Sequence, residues 1–354
     1  MSHQENAPIS ITPGAIRFNT DSMKLEYFRI GMEGGSTSSY AGIGTLAAGE
    51  WVQLTTDTPD IQTGGTRGVF AVGSQTPSGT YDTTTQYITV DTTGNAIDFG
   101  DTTLARGYGA SFASRTRGVF LAGQAGGSNQ NRIDYVTISS TGTATVFGGL
   151  FETVRYPTGF SNSTRGLIAG GLNPAATDTI QYVTIASTGN TIDFGNTSGG
   201  TFLGGSSCAS STRGLIQRGS TPDIEFVTIS TLGNTASFGN ATGNKSGGTG
   251  VSNSIRGIFA GGYSPAGGIE YVTISTLGNA IDFGDLTSTR GYGASAASST
   301  RGVFIAGGVY PAGLNTIDYV QIMSTGNAID FGDVIDSKLP LGAFGCSNGH
   351  GGLG

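Results

Sequence analysis

The sequence predicts an all-β fold, a six-bladed β-propeller, and three observations support this expectation. A unit of about 47 residues recurs six times after residue 65. Every unit keeps the same apolar positions, although glycine makes up 62 of the 354 residues. No stretch shows the apolar period of a helix. Repeats of this length stack as propellers or solenoids, in which each unit buries its apolar face against its neighbours.

Each unit divides into four short strands, named a to d in chain order. In the last unit we expect a at 291–298, b at 301–306, c at 317–322 and d at 328–332. Strand a is rich in Gly, Ala and Ser, because the innermost strands of a propeller converge on its axis. A Gly-Asn pair between c and d is typical of a hairpin turn.

An aromatic residue recurs at one position of strand c and a phenylalanine at one position of strand d. We expect both sets to form the core between blades. The strand c residues are Tyr87, Tyr135, Tyr182, Phe226, Tyr271 and Tyr319, and the strand d residues are Phe99, Phe147, Phe194, Phe238, Phe283 and Phe331.

The order of strands predicts how the ring closes. The chain enters the propeller on a b strand at Arg67 and ends on an a strand at 341–348, which should complete the first blade. The other a strands are expected to begin near Gly107, Tyr156, Phe202, Gly247 and Gly291. Cys208 and Cys346 then lie on a strands of opposite blades, too far apart for a disulfide. We therefore predict two free thiols.

One arginine marks the start of every b strand. These residues are Arg67, Arg117, Arg165, Arg213, Arg256 and Arg301. A ring of cations could bind an anionic glycan. Because the position recurs in all six units, we favour a structural role, with each guanidinium bonding to the backbone or to a nearby strand d aspartate. Those aspartates are Asp98, Asp193, Asp282 and Asp330.

Residues 1–60 are expected to form a small β module, separate from a propeller at 61–354. Apolar residues alternate at 16–18 and 25–27 as in a hairpin, and Trp51 lies on a third strand. Three strands bury only a marginal core. We therefore expect this module to dock onto another protein or to trimerise, and we expect the chain to form a homo-oligomer.

The repeats resemble a known family. The order of features in each unit resembles the kelch repeat. A small-residue strand a is followed by strand b, by a double glycine, as at Gly170-Gly171 and Gly307-Gly308, and by an aromatic residue in strand c. Over residues 66–354 the sequence is similar to kelch-like repeats in virion proteins of tailed phages, especially marine phages of cyanobacteria. The segments that carry this similarity are Ile-Asp-Tyr-Val-Thr-Ile and Ser-Thr-Gly-Asn-Ala-Ile-Asp-Phe-Gly. Residues 13–28 and 50–54 resemble a module common in phage fibres.

This resemblance implies a structural protein of the virion, assembled in the host cytoplasm. The expected role is a tail fibre or appendage whose propeller recognises host surface polysaccharide, with residues 1–60 attached to other virion proteins. The alternative is a decoration or structural protein of head, neck or baseplate that binds only other virion proteins.

Composition disfavours several other functions. A net charge of −7 disfavours nucleic-acid binding, and no apolar run approaches the roughly 20 residues of a membrane span. The N-terminus lacks a signal-peptide pattern. With only His3 and His350, we expect no metal site, no cofactor and no Ser-His-Asp set. Neither the Asp-Phe-Gly triplets nor Gly243–Ser246 sits in a kinase or phosphate-loop context, so we expect no enzyme.

The b–c and d–a connections vary in length and composition, whereas the a–b and c–d turns are nearly constant. Since alternate connections of a meander lie on opposite faces, one face of the propeller is variable. Variable loops on a rigid scaffold commonly carry recognition. The candidate ligand-binding residues on these loops are Tyr81, Arg132, Asn173, Tyr263 and Tyr310.

Overall fold

A computed structural model describes residues 15–19, 24–30, 49–53, 66–76, 79–199, 202–262, 267–309, 312–335 and 339–353. The chain forms two compact units, Met1–Thr63 and Gly64–Gly354. In the first unit, strands Ile16–Asn19, Lys24–Ile30 and Gly49–Gln53 form one antiparallel sheet with the longest strand in the middle. Ile16 lies opposite Tyr27 in it, so the predicted hairpin is confirmed.

The second unit is a six-bladed β-propeller of four-stranded antiparallel blades, as the repeats predict. The strands a, b, c and d are Phe344–Ser347, Arg67–Ala71, Thr84–Thr89 and Ile97–Asp101 in blade 1; Ala110–Ala113, Arg117–Leu121, Ser128–Thr137 and Thr145–Val154 in blade 2; Thr158–Ser161, Arg165–Ala169, Thr179–Thr184 and Ile192–Asn196 in blade 3. They are Phe202–Ala209, Arg213–Gly219, Asp223–Thr228 and Ala236–Asn240 in blade 4; Gly248–Ser252, Arg256–Gly261, Gly268–Thr273 and Ile281–Asp285 in blade 5; Ala294–Ala297, Arg301–Ile305, Thr316–Gln321 and Ile329–Asp333 in blade 6.

Short strands in the connections surround one face of the propeller. They are Ser74–Thr76, Thr80–Tyr81, Gln124–Ala125, Leu172–Asn173, Ala175–Ala176, Gly308–Val309, Ala312–Gly313 and Leu339–Leu341. All of them belong to b–c or d–a connections, so the predicted variable face carries additional hairpins. The single helical element of the described residues is a 3₁₀ turn at Gly351–Leu353.

The C-terminal strand closes the ring as predicted. Phe344–Ser347 pairs antiparallel with Arg67–Ala71, so the two ends of the propeller share blade 1. Strand a, however, begins later than predicted in four blades, at Ala110, Thr158, Ala294 and Phe344. The residues just before these strands adopt a left-handed backbone conformation that ends the strand geometry, as described for the site below.

Two glycines of each unit are required by close contact between blades. In blade 3, a Cβ on Gly166 of strand b would lie 2.1 Å from the Phe112 ring of the preceding blade. In blade 1, a Cβ on Gly100 of the Asp-Phe-Gly triplet would lie 2.4 Å from the carbonyl oxygen of Gly142 in the next blade. The Gly142 amide in turn donates to the Phe99 carbonyl at 2.7 Å. The triplet is therefore a docking position for the next c–d turn.

Six apolar clusters lie between neighbouring blades and form the core. The strand d phenylalanines are 2–3% exposed in all six blades, which confirms their predicted core role. The strand c aromatics meet them edge-to-face at centroid distances of 6.0–6.3 Å. Such pairs add to the stabilisation from burial alone.

Cys208 and Cys346 are buried and free, as predicted. Cys208 lies opposite Leu215 in blade 4 and Cys346 opposite Val69 in blade 1, so they occupy equivalent places. Each sulfur packs against the strand b glycine of the next blade: Cys208 against Gly257 and Cys346 against Gly118. Burial raises the pKa of Cys346 to about 12 and that of Cys208 further. Both thiols serve as small apolar side chains.

Candidate ligand-binding face of the propeller

The six strand b arginines are part of the scaffold. Each guanidinium donates to a carbonyl oxygen of the following blade at 2.8–3.1 Å, as Arg165 does to Ile229. Each also lies 4.1–4.6 Å above the strand c aromatic ring of its own blade. The expected backbone bond is therefore confirmed. The alternative partner is wrong, because no described ion pair joins these arginines to the exposed aspartates of strand d.

Three tyrosines meet at the propeller axis on the variable face. Tyr108, Tyr156 and Tyr292 lie two residues before the a strands of blades 2, 3 and 6, and their ring centroids lie 4.9–5.5 Å apart. All three are half-buried. Because strand a runs away from the variable face, these rings cover the end of the axis that the variable loops surround.

The backbone of these tyrosines is in the left-handed region. Their φ angles are +55° to +60°, and Gly342, Gly204 and Gly247 take φ angles of +64° to +76° at the equivalent points of blades 1, 4 and 5. A non-glycine residue rarely adopts this conformation without a compensating interaction. Here amides bond to carbonyls of neighbouring blades around the axis: Tyr108 to Gly342, Tyr156 to Tyr108, Gly247 to Gly204, Tyr292 to Gly247 and Gly342 to Tyr292, at 2.7–2.9 Å.

Glycine at three of the six positions makes room for the three rings. A Cβ on Gly342 would lie 2.6 Å from the Tyr108 ring, and one on Gly247 would lie 3.1 Å from the Tyr292 ring. Six tyrosines would therefore collide at the axis, whereas three tyrosines fill it.

Tyr81 and Arg155 extend this aromatic cluster outwards. The Tyr81 ring lies against Gly107, the neighbour of Tyr108, and its hydroxyl donates to Gln124 Oε1 at 2.8 Å. Burial raises the pKa of Tyr81, with a further increase from Tyr156 that the charge of Arg155 opposes. The Arg155 guanidinium carbon lies 5.7 Å from the Tyr156 ring centroid. We call Tyr81, Tyr108, Arg155, Tyr156 and Tyr292 the axial cluster.

Only part of the predicted ligand-binding set belongs to the axial cluster. Tyr81 does. Arg132 is instead bound inside blade 2, where its Nε donates to Thr103 Oγ1 at 2.7 Å and lies 3.3 Å from Asp134. Asn173 is exposed on the blade 3 hairpin and accepts a long bond of 3.5 Å from Thr153.

Two other members of that set, Tyr263 and Tyr310, lie outside the described residues. The sequence patterns did not single out the other four members of the axial cluster, which are Tyr108, Arg155, Tyr156 and Tyr292. Alignment of the units just before strand a would have shown the three tyrosines, because that position is Tyr in blades 2, 3 and 6 and Gly in blades 1, 4 and 5.

Below the tyrosines a cavity of about 140 Å³ follows the axis. It is lined by small residues of all six a strands, among them Ser111, Ser206 and Ser295, and it ends at His350. The His350 ring contacts the Ala113 carbonyl at 3.0 Å, and Arg115 donates to the Leu353 carbonyl at 2.6 Å. The C-terminal turn therefore packs on the axis at the constant face.

A second cavity, of about 130 Å³, lies beside this turn. Several of its polar side chains already bond to one another or to the backbone: Ser298 donates to Asp91, and Asn253 to the Ser299 carbonyl. Lys245, from the sequence that partly matches a phosphate loop, is 1% exposed and donates to the Gly268 carbonyl. Neither the second cavity nor the surroundings of Lys245 presents aromatic rings together with a guanidinium, as the axial cluster does.

No group of three or more His, Cys, Asp or Glu side chains within the described residues could hold a metal ion. Among those same residues, no helix is long and apolar enough to cross a membrane. A scan against protein-family models and a search of curated proteins find no match to the chain.

Proposed function

We propose that the protein is a virion protein of a tailed phage, a tail fibre or appendage whose propeller recognises glycan on the host surface. The observation that carries this proposal is the axial cluster. Its partly exposed tyrosine rings and one guanidinium converge where six variable loop sets meet. Aromatic faces stack on the apolar faces of sugar rings, and polar groups nearby fix their orientation.

The scaffold suits such a role. Repeated backbone bonds and apolar clusters join the blades, so the connecting loops can differ without loss of the fold. The resemblance of residues 66–354 to kelch-like phage repeats supports the virion context. In the first unit, Ile16 and Phe18 are 65% and 53% exposed, which supports contact with another virion protein.

The test is binding of the purified full chain to whole host cells and to immobilised bacterial surface polysaccharides. We expect Tyr156→Ala to weaken binding about tenfold or more, since loss of one stacking residue at a binding hot spot costs about 2 kcal/mol. Ile281→Ser, on the opposite side of the propeller, is the control and should bind like wild type. Retention of full affinity by Tyr156→Ala contradicts the proposal.

A second candidate function rests on a different surface. The turn end of strand d exposes an apolar side chain in five of six blades, at 47–59% exposure. Four of them, Ile97, Ile192, Ile281 and Ile329, lie opposite the strand c aromatic residue, and Val146 of blade 2 lies one residue further along the strand. Repetition around the ring favours a structural protein of head, neck or baseplate that packs against other virion proteins. Serine at these five positions should then prevent incorporation into particles, whereas a glycan-binding role leaves incorporation intact.

A further inference from the structure

Blades 2 and 6 each bury an arginine–aspartate pair beneath the d–a loop. Arg106 and Asp134 form an ion pair of 2.7 Å, and both side chains are 0% exposed. Arg290 and Asp318 pair in the same way. The aspartates lie at equivalent places, opposite Phe120 and Phe304 of strand b. In both blades the arginine is therefore neutralised inside the scaffold.

Blade 3 departs from this pattern at three positions together. Val154 stands where blades 2 and 6 have the buried arginine, and Gln181 replaces the aspartate, opposite Ile168. Arg155 occupies the following position, which is glycine in blades 2 and 6. The matching backbone bridges, Gly107 to Gln124, Arg155 to Leu172 and Gly291 to Gly308, establish this equivalence. In blade 3 the cation therefore stands one residue later than in blades 2 and 6, on the variable face and not in the core.

Among the residues that the structure describes, no carboxylate pairs with Arg155 on that face. No ion pair within the described residues includes it, and its buried Nε has no hydrogen-bond partner. Gln181 is engaged elsewhere, since its Oε1 accepts from the Phe151 amide and the Thr191 hydroxyl. The charge of the Arg155 guanidinium beside Tyr156 is therefore not neutralised by a described carboxylate, unlike the charges of Arg106 and Arg290.

We propose that Arg155, with Tyr81 and Tyr156, is the subsite for a carboxylate-bearing sugar, a hexuronic acid unit of the host polysaccharide. This rests on the proposed function and specifies its ligand class. The planar guanidinium binds a carboxylate through two parallel hydrogen bonds. The Tyr156 ring supplies the adjacent apolar surface. Because the chain carries a net charge of −7, an anionic ligand needs such a local cation.

The test uses the full chain and a panel of bacterial capsular polysaccharides that contain uronic acids. Each polysaccharide is immobilised in its native form and after carboxyl reduction, which converts the uronic acids to neutral sugars. We expect binding to at least one native member and at least about tenfold weaker binding to its reduced form. A hydrogen bond to a charged group accounts for a difference of this size.

Arg155→Gln should lose the same factor on the native polysaccharide and bind the reduced form like wild type. Tyr81→Phe is a second variant, which keeps the ring, and should weaken native binding less. Arg17→Gln, in the first unit, makes the same charge change and serves as the control. Thermal unfolding of each variant verifies its fold.

The outcomes separate this inference from the proposed function. Equal binding of native and reduced polysaccharide, or full affinity of Arg155→Gln, overturns the uronic acid subsite and leaves glycan recognition standing. No binding to any native member overturns the subsite as well, and absence of binding to whole host cells then overturns glycan recognition itself.

Discussion

The contribution of the buried Arg106–Asp134 ion pair to stability can be tested with substitutions that blade 3 already contains. Blade 3 replaces this pair with Val154 and Gln181, so the double substitution Arg106→Val with Asp134→Gln copies a solution that the same scaffold already uses. Asp134→Gln instead leaves the buried Arg106 without its carboxylate, and Arg106→Val leaves Asp134 with only the partly exposed Arg132 as a cationic neighbour. The two singles and the double form a complete thermodynamic cycle for one pair.

The magnitudes follow from the burial of the pair. Both side chains are fully buried and 2.7 Å apart, and Arg106 also donates to the Phe120 carbonyl at 3.0 Å. Removal of one member of such a pair costs about 3–5 kcal/mol, whereas an apolar replacement of both is often nearly neutral. We expect each single variant to lose about 3 kcal/mol or more. The double variant should lose about 1–2 kcal/mol, which corresponds to a coupling energy of at least about 4 kcal/mol between the two residues.

The assay is urea-induced unfolding of the full chain, followed by fluorescence and circular dichroism. Arg132→Ala is the matched control, because Arg132 contacts the same aspartate at 3.3 Å but is 39% exposed. It should cost less than about 1 kcal/mol. The reasoning is refuted if the double variant is as unstable as the sum of the two singles, or if Asp134→Gln alone costs no more than the control.

Three further predictions concern the packing of the propeller. Gly257→Ala should destabilise it by about 1–3 kcal/mol, because the new Cβ lies 2.5 Å from the Cys208 sulfur. In urea unfolding, the double variant with Cys208→Ala should recover most of this loss. No recovery would contradict the contact. Both thiols, Cys208 and Cys346, should resist a maleimide probe in the native protein at pH 8 and react in urea, since burial raises their pKa. Rapid labelling of the native protein would disprove their burial. Burial lowers the pKa of His350 to about 4. Because this folded value lies below the unfolded value of about 6.5, the contribution of His350 is present above pH 6.5 and is lost as pH falls toward 4. Stability measured from pH 7 to 4 should therefore decline less in His350→Gln than in wild type, and equal declines would assign the loss to other groups.

The sequence predicts the architecture well because the residues that define it recur. Phe99 and its equivalents must fill the same space in every blade, and Gly100 and its equivalents must admit the next c–d turn. Repetition makes these constraints visible without coordinates. The same logic identifies Phe344–Ser347 as the missing strand of blade 1, since only one strand lacks a blade and only one blade lacks a strand.

The axial cluster is harder to predict because it depends on backbone conformations that break the pattern. Tyr108 reads as part of a small-residue strand, and a left-handed φ is unusual for tyrosine. Only the bonds that join neighbouring blades around the axis impose it. Likewise Arg155 attracts attention only when blade 3 is compared with the buried ion pairs of blades 2 and 6, which the sequence does not reveal as pairs.

The most direct test of glycan recognition by the variable face is one binding measurement on the full chain. Native uronic-acid polysaccharide from the host surface is titrated with wild type, Tyr156→Ala and Ile281→Ser. Recognition through the axial cluster predicts that wild type and Ile281→Ser bind alike and that Tyr156→Ala binds about tenfold more weakly or not at all. Equal affinities for all three proteins would contradict it.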